Sequence, residues 1–334
     1  MTLLSITDLT VHLPGAARPV LDSVSLHVGP GEVVGLVGES GSGKSTTAKA
    51  ALGLLPPGAT ATGSVHVADT DVLALTGERL RAHRAGPVAM VHQDPRAALN
   101  PVRRIGDFLT ERGATRSRAV ELLEAVGLSS PERRLRQHPH ELSGGMLQRV
   151  VIAGALAAEP RLLLADEATS ALDVTTQAEI LALLRTLRAT RDLGLLLITH
   201  DLHLAAAYCD RVYVMYAGGV VEQRTAEALF TTPAHPYTRG LLACSPTLGE
   251  SHPLTPIPGR PPSLSDSFKG CPFVSRCGEA EESCETAPPV EQPLEDGGGV
   301  NCPVAPVVGR RSAWRNGWAQ PKMPSTETTK ASQG

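Results

Sequence analysis

Aromatic residues are scarce in this chain: two Trp, four Tyr and four Phe, 3% of the residues. Leu, Ala and Val must therefore fill its core, and 42% hydrophobic content makes that core sizeable. No window approaches about eighteen consecutive apolar residues, so no membrane span is expected. Met1 to Asp8 lacks a basic stretch followed by an apolar core, so no secretory signal is expected and the cytoplasm is the expected compartment. An excess of one charge is also missing: 31 Lys and Arg stand against 34 Asp and Glu. This balance excludes bulk attraction to nucleic acid or anionic lipid. Cysteines number six. In a reducing compartment they read as thiols or metal ligands rather than disulfides. A chain of 334 residues has room for two domains.

What is present centres on Gly38-Glu39-Ser40-Gly41-Ser42-Gly43-Lys44-Ser45-Thr46, which fits the G-x-x-x-x-G-K-[ST] phosphate-binding loop. Glu32 to Val37 reads as a buried strand before it, and Thr47 to Leu55 as a helix after it. Glycines let the backbone N–H groups curl inward, and the helix start adds partial positive charge. Lys44 is expected at the β- and γ-phosphates, and the Ser45 hydroxyl on Mg²⁺.

Around this loop, Leu3 to Leu13 and Leu21 to Val28 alternate as two antiparallel strands. Thr62 to Val67 reads as a further hairpin strand. Val88 to Gln93 is a strand ending in a glutamine suited to Mg²⁺ or to an attacking water. Residues from about 102 to 141 read as helical, and Ser143-Gly144-Gly145 opens a helix through Ala158, with an anion-binding start. Arg161 to Glu167 is an apolar strand ending in two carboxylates: Asp166 for Mg²⁺ and Glu167 for the attacking water. Ser170-Ala171-Leu172-Asp173 turns into a helix from about Thr175 to Thr190, and Gly194 to His200 is the next strand. Residues 211–216 and 219–222 form a closing hairpin.

This ordered set resembles the nucleotide-binding subunits of ABC transporters, over residues from about 3 to 235. The resemblance implies an α/β P-loop NTPase: a RecA-like core, a helical subdomain at about 94–158 and an antiparallel β-subdomain. It implies ATP and Mg²⁺ (Ser45, Gln93, Asp166), with Gln93, Glu167 and His200 catalytic. Two subunits would close head to tail, with Ser143, Gly144 and Gly145 on the partner's ATP and Asp173 at the contact. The signature carries Met146 where many relatives have Gln. The aromatic that usually stacks on adenine is missing from Thr10-Val11-His12-Leu13-Pro14, so either His12 or Leu13 would pack on the base or adenine binding would be weaker.

Past residue 235 the chain turns Pro-rich, with a short helix expected from Arg239 to Ala243. Cys271, Cys277, Cys284 and Cys302 follow, spaced by five, six and seventeen residues. Four thiolates with little core point to a metal staple, zinc or an iron–sulfur cube. A sensor that acts through these cysteines is the other use for them. His235-Pro236-Tyr237-Thr238, Ile257-Pro258-Gly259 and Cys271-Pro272-Phe273 resemble the C-terminal extension of the oligopeptide and dipeptide importer branch. That resemblance implies a [4Fe–4S] cluster on the four cysteines in an extension over 236–308. It also implies two permease subunits, a sister ATPase or second copy, an extracytoplasmic substrate-binding protein, no nucleic acid, and a place on the cytoplasmic face of the membrane. Import of nickel, glutathione or another small solute is the alternative, and a soluble non-transport ATPase the less favoured one. Residues 309–334, with Trp314 and Trp318, read as a disordered tail. Truncation near residue 235 is expected to leave nucleotide binding largely intact.

Overall fold

Alternating apolar and polar residues build the first two strands. In the computed structural model, which describes residues 2–168, 172–244 and 256–305, β1 (Leu4–His12) pairs antiparallel with β2 (Leu21–Val28). The alternation breaks at Asp8, whose φ is positive. β3 (Val33–Val37) is buried throughout, as an unbroken apolar run requires. α1 (Lys44–Ala50) begins at Lys44 rather than Thr47, because Gly43 caps it with φ +105° and aims the chain into the helix at once. It stops short of Leu55, where Gly53 turns the chain at φ +61°. β4 (Thr60–Val67) pairs with the other edge of β1, and β5 (Thr70–Asp71) with β4, giving a sheet ordered β2-β1-β4-β5.

α2 (Gly77–Ala85) leads to β6 (Val88–Val91). The stretch from 102 to 141 is broken into α3 (Ile105–Thr110), α4 (Arg116–Ala125), α5 (Pro131–Arg136) and a 3₁₀ turn. Gly113 and Gly127, at φ +91° and +73°, and the helix-opening Pro131 and Pro139 divide it. Ile105, Leu109, Leu122 and Leu123 bury one face of these helices against α6 (Gly144–Leu156). After β7 (Leu162–Asp166) come α7 (Val174–Arg191), β8 (Gly194–Thr199), α8 (Leu202–Tyr208), and the hairpin β9 (Arg211–Tyr216) and β10 (Gly219–Thr225).

The second sheet runs β9-β3-β8-β7-β6 with all neighbours parallel. Its strands therefore end on one edge, where α/β folds place their ligands. The phosphate loop, Gln93, Asp166, Glu167 and His200 all follow these strand ends.

Beyond α9 (Ala226–Thr231) and α10 (Pro236–Ala243), the extension adds α11 (Ser283–Thr286), β11 (Gln292–Pro293) and β12 (Gly299–Val300). β12 pairs antiparallel with β10 and β11 with β12, so the extension prolongs the same sheet. Strands of two residues carry no periodicity for a sequence reading to detect. α10 starts at Pro236 rather than Arg239, because His235 caps it and accepts the Tyr237 N–H at 3.0 Å on Nδ1. Burial, with the Arg239 cation beside it, pushes the His235 imidazole down to about 3. The buried Glu222 carboxylate accepts the N–H groups of Ala234 and His235 at 2.8 and 2.9 Å. Burial raises this carboxyl. Tyr237, Cys271, Phe273 and Cys284 join Val33, Leu195 and Val214 in one core. The chain near 235 is thus a packed, hydrogen-bonded junction rather than a loose linker, which argues against the expectation that a cut there leaves nucleotide binding intact. Residues 309–334, with Trp314 and Trp318, lie outside the described residues, as do Ser170 and Ala171.

Candidate active site

The phosphate loop is shaped by its glycines. Gly38 sits at φ +149°, where an added Cβ would fall 2.2 Å from the Met215 carbonyl oxygen at the end of β9. Lys44 is buried, and its ammonium donates to the carbonyls of Gly38 and Glu39, both at 2.8 Å. Burial lowers its pKa, and the nearby carboxylates of Glu167, Asp166 and Glu39 offset part of that. Thr47 Oγ1 donates to the Gly43 carbonyl at 3.1 Å and ties the loop to its helix.

The strand ends bring the remaining residues together. Ser45 Oγ donates to Asp166 Oδ1 at 3.0 Å. A hydroxyl and a carboxylate are hard oxygen donors of the kind Mg²⁺ takes, so these two residues fit that ion. Gln93 Nε2 donates to Glu167 Oε2 at 3.1 Å, and His200 Nδ1 lies 3.6 Å from Glu167 Oε1. Glu167 has φ +47°, a left-handed backbone rare outside glycine. Its N–H donates to the Ile198 carbonyl at 3.0 Å and fixes the residue between β7 and β8. A carboxylate held between a glutamine and a histidine, beside a phosphate loop, is suited to polarising a water against a γ-phosphate.

The signature residues stand apart from this group. Ser143 Oγ accepts the Met146 N–H at 3.3 Å and caps α6. Ser143 and Gly144 are exposed. Asp173 is exposed as well, and caps α7 by accepting the Thr176 N–H and hydroxyl at 3.0 and 2.8 Å. Exposed capping groups on two helix starts leave a face available to another subunit.

Residues 21–170 match the ABC transporter family model, and residues 221–284 match the model of the oligopeptide/dipeptide transporter C-terminal region. The oligopeptide transport ATP-binding protein OppD of Bacillus subtilis is 44% identical, over 86% of this chain and 85% of that protein. The OppD of Escherichia coli is 42% identical, over 87% and 90%. That of Mycobacterium tuberculosis is 47% identical over 86% of this chain, but the chain spans only 49% of its length. This chain belongs to the ATP-binding subunits of ABC transporters, of the oligopeptide/dipeptide importer type. Among solved structures, cbiO1 of Clostridium perfringens is similar with a TM-score of 0.61 and 26% identity, over 69% of this chain and 91% of that one. A dimeric ATP-binding cassette in a post-hydrolysis state, bound to ADP and Pi, is similar with a TM-score of 0.58 and 29% identity, over 67% and 98%.

Two features of this ABC subunit escaped the sequence reading. The β1–β2 loop, where an adenine-stacking aromatic is missing, packs on the extension. Arg18 is buried and donates to the carbonyls of Ala217, Pro262 and Ser263 at 2.8, 3.1 and 3.0 Å, and its guanidinium lies 5.7 Å from the Phe268 ring. His12 is exposed and Leu13 half-buried. The side chain of Glu39, a member of the phosphate loop, pairs with Arg276 from the extension, at 2.7 and 3.1 Å. These partners are 237 positions apart, and no local signal in the sequence joins them.

Proposed function

We propose that this subunit binds MgATP between its phosphate loop and the signature of a second ATPase subunit, and that its hydrolysis drives peptide import through two permease subunits. The observation that carries this reading is the convergence of Ser45 with Asp166, and of Gln93 and His200 with Glu167, on one sheet edge. In it, Lys44 and the loop N–H groups of residues 38–46 hold the phosphates, and Ser45, Asp166 and Gln93 serve Mg²⁺. Glu167 is the general base, His200 holds the γ-phosphate and water, and Asp173 meets the partner subunit. Ser143, Gly144 and Gly145 act on the partner's nucleotide. The names of the relatives support peptides as cargo; in this reading an extracytoplasmic binding protein delivers them. Among the described residues no helix is long and apolar enough to cross a membrane, which fits a peripheral subunit on the cytoplasmic face. Reconstitution with its permeases in vesicles tests this: ATP-dependent accumulation of labelled oligopeptide supports it, and ATP turnover that peptide never stimulates contradicts it.

The extension supports a resident metal centre. Cys271, Cys284 and Cys302 are buried and Cys277 half-buried. Burial raises the thiols of Cys271 and Cys277 and pushes Cys302 up to about 11, and neighbouring cysteines raise each of them further. A cation in place of their protons would relieve that mutual repulsion. Among the described residues, the only three ligand atoms from His, Cys, Asp or Glu within 4.8 Å of one another belong to His138, His140 and Glu141. The spacings of five, six and seventeen residues, longer than the two-residue spacings usual for zinc, are the ground for proposing a [4Fe–4S] cluster over zinc. Bound there, a cluster would supply cross-linking of the lobe. Anaerobic purification is expected to give a brown protein with about four iron and four sulfide per chain, lost in Cys277→Ser; stoichiometric zinc would refute it.

A further inference from the structure

The phosphate loop is gripped from outside its own strand and helix. Glu39, its second residue, is held at three points. Its carbonyl accepts from the Lys44 ammonium at 2.8 Å. Its N–H donates to the Tyr237 hydroxyl at 2.9 Å. Its carboxylate takes both ends of the Arg276 guanidinium, at 2.7 and 3.1 Å. Two of these three groups come from beyond residue 235.

Those two are themselves rigidly placed. The Arg276 side chain is 3% exposed, and Glu39 opposite it 26%. Arg276 Nε donates to the Pro258 carbonyl at 2.8 Å, and a second donor reaches the Tyr216 hydroxyl at 3.3 Å. The 3₁₀ turn that aims it, Val274–Arg276, is anchored by Val274 N–H on the Cys271 carbonyl at 3.1 Å. Tyr216, Tyr237 and Phe273 pack with ring centroids 4.6 to 5.3 Å apart. Three of the few aromatics in this chain are thus spent on one cluster beneath the loop. Surface ion pairs are weak, but a buried, bidentate and charge-assisted one is not. Gly38, Gly41 and Gly43, at φ +149°, +80° and +105°, give the loop more backbone conformations to lose on ordering than other residues would. A clamp on Glu39 removes that freedom before nucleotide arrives, and pre-organisation of this kind appears as affinity.

We propose that Arg276 and Tyr237 are positioning residues for ATP: they fix Glu39, and through it the Lys44 ammonium, in the geometry that receives the phosphates. This rests on the ATPase reading above. The contacts act on loop shape rather than on the water or Glu167, so they weigh more on binding than on the chemical step.

The test uses the full chain, a fluorescent ATP analogue at equilibrium, and steady-state turnover. Glu39→Gln and Arg276→Gln are each expected to raise Kd and KM about tenfold, a larger factor than any accompanying fall in kcat. The double variant is expected to be no worse than either single one, because both remove the same pair. Arg276→Lys restores the charge without the fork and should recover part of the affinity. Tyr237→Phe should raise Kd by a smaller factor. Should Arg276→Gln not fold, Glu39→Gln alone carries the comparison from the more exposed side of the pair. Folded Glu39→Gln that binds the analogue as wild type does would overturn the proposal, and so would additive losses in the double variant. A wild-type chain that binds no ATP would instead sink the ATPase reading.

Discussion

At the scale of single residues, Glu167 shows how position and strain combine. Its identity was legible from an apolar strand ending in two carboxylates. Its φ of +47° was not, because only the crossing to the Ile198 carbonyl imposes it. A non-glycine residue keeps such a backbone only when its surroundings over-determine it, and here the result is a carboxylate facing Gln93 and His200. Glu167→Gln keeps the size and the hydrogen-bonding partners but loses the basic oxygen. ATP turnover measured with the permeases present should fall about 10²- to 10³-fold. Nucleotide binding should persist, and size-exclusion chromatography in ATP should show trapped dimers. Undiminished turnover would remove Glu167 from the role of base.

At the scale of elements, the two helices that present the outward-facing groups are set against each other by a glycine. Gly145, in the first turn of α6, lies so close to α7 that a Cβ there would fall 2.7 Å from Thr176 Cγ2. Thr176 is also the residue whose N–H and hydroxyl hold Asp173, so the signature and the proposed dimer-contact residue share one joint. Gly145→Ala should therefore push α6 and α7 apart and lower turnover in the assembled transporter at least tenfold, with ATP binding by the lone subunit unchanged. Thr176→Ser removes the obstructing methyl and keeps the hydroxyl for Asp173. Adding it to Gly145→Ala should restore most of the turnover; no recovery would mean that the clash is not the cause. The sequence marked Gly145 as part of an anion-binding helix start, but nothing local pointed to Thr176, which meets it only after the helices pack.

At the scale of the whole molecule, the extension and the nucleotide-binding core are one packed body. β12 continues the sheet through β10, and Tyr237 and Phe273 are buried with Tyr216. Losing one large buried aromatic costs about 3–5 kcal/mol, and a domain is stable by only about 5–15. A chain ended after residue 235 should melt far below the full protein, or fail to stay soluble, and should lose most of its affinity for ATP. Equal melting temperatures with equal affinity would show that the two parts are independent after all. The phosphate loop, the strand-end carboxylates and most of the core strands as separate elements were legible in sequence alone, because strand, glycine turn and helix start are local events that depend on neighbours a few positions away; the order of those strands in the sheet was not. The clamp on Glu39, the close approach of Gly145 to Thr176 and the extra strands at the sheet edge were decided by folding. Each needs groups tens to hundreds of positions apart to be buried against each other, and burial of that kind has no periodicity along the chain.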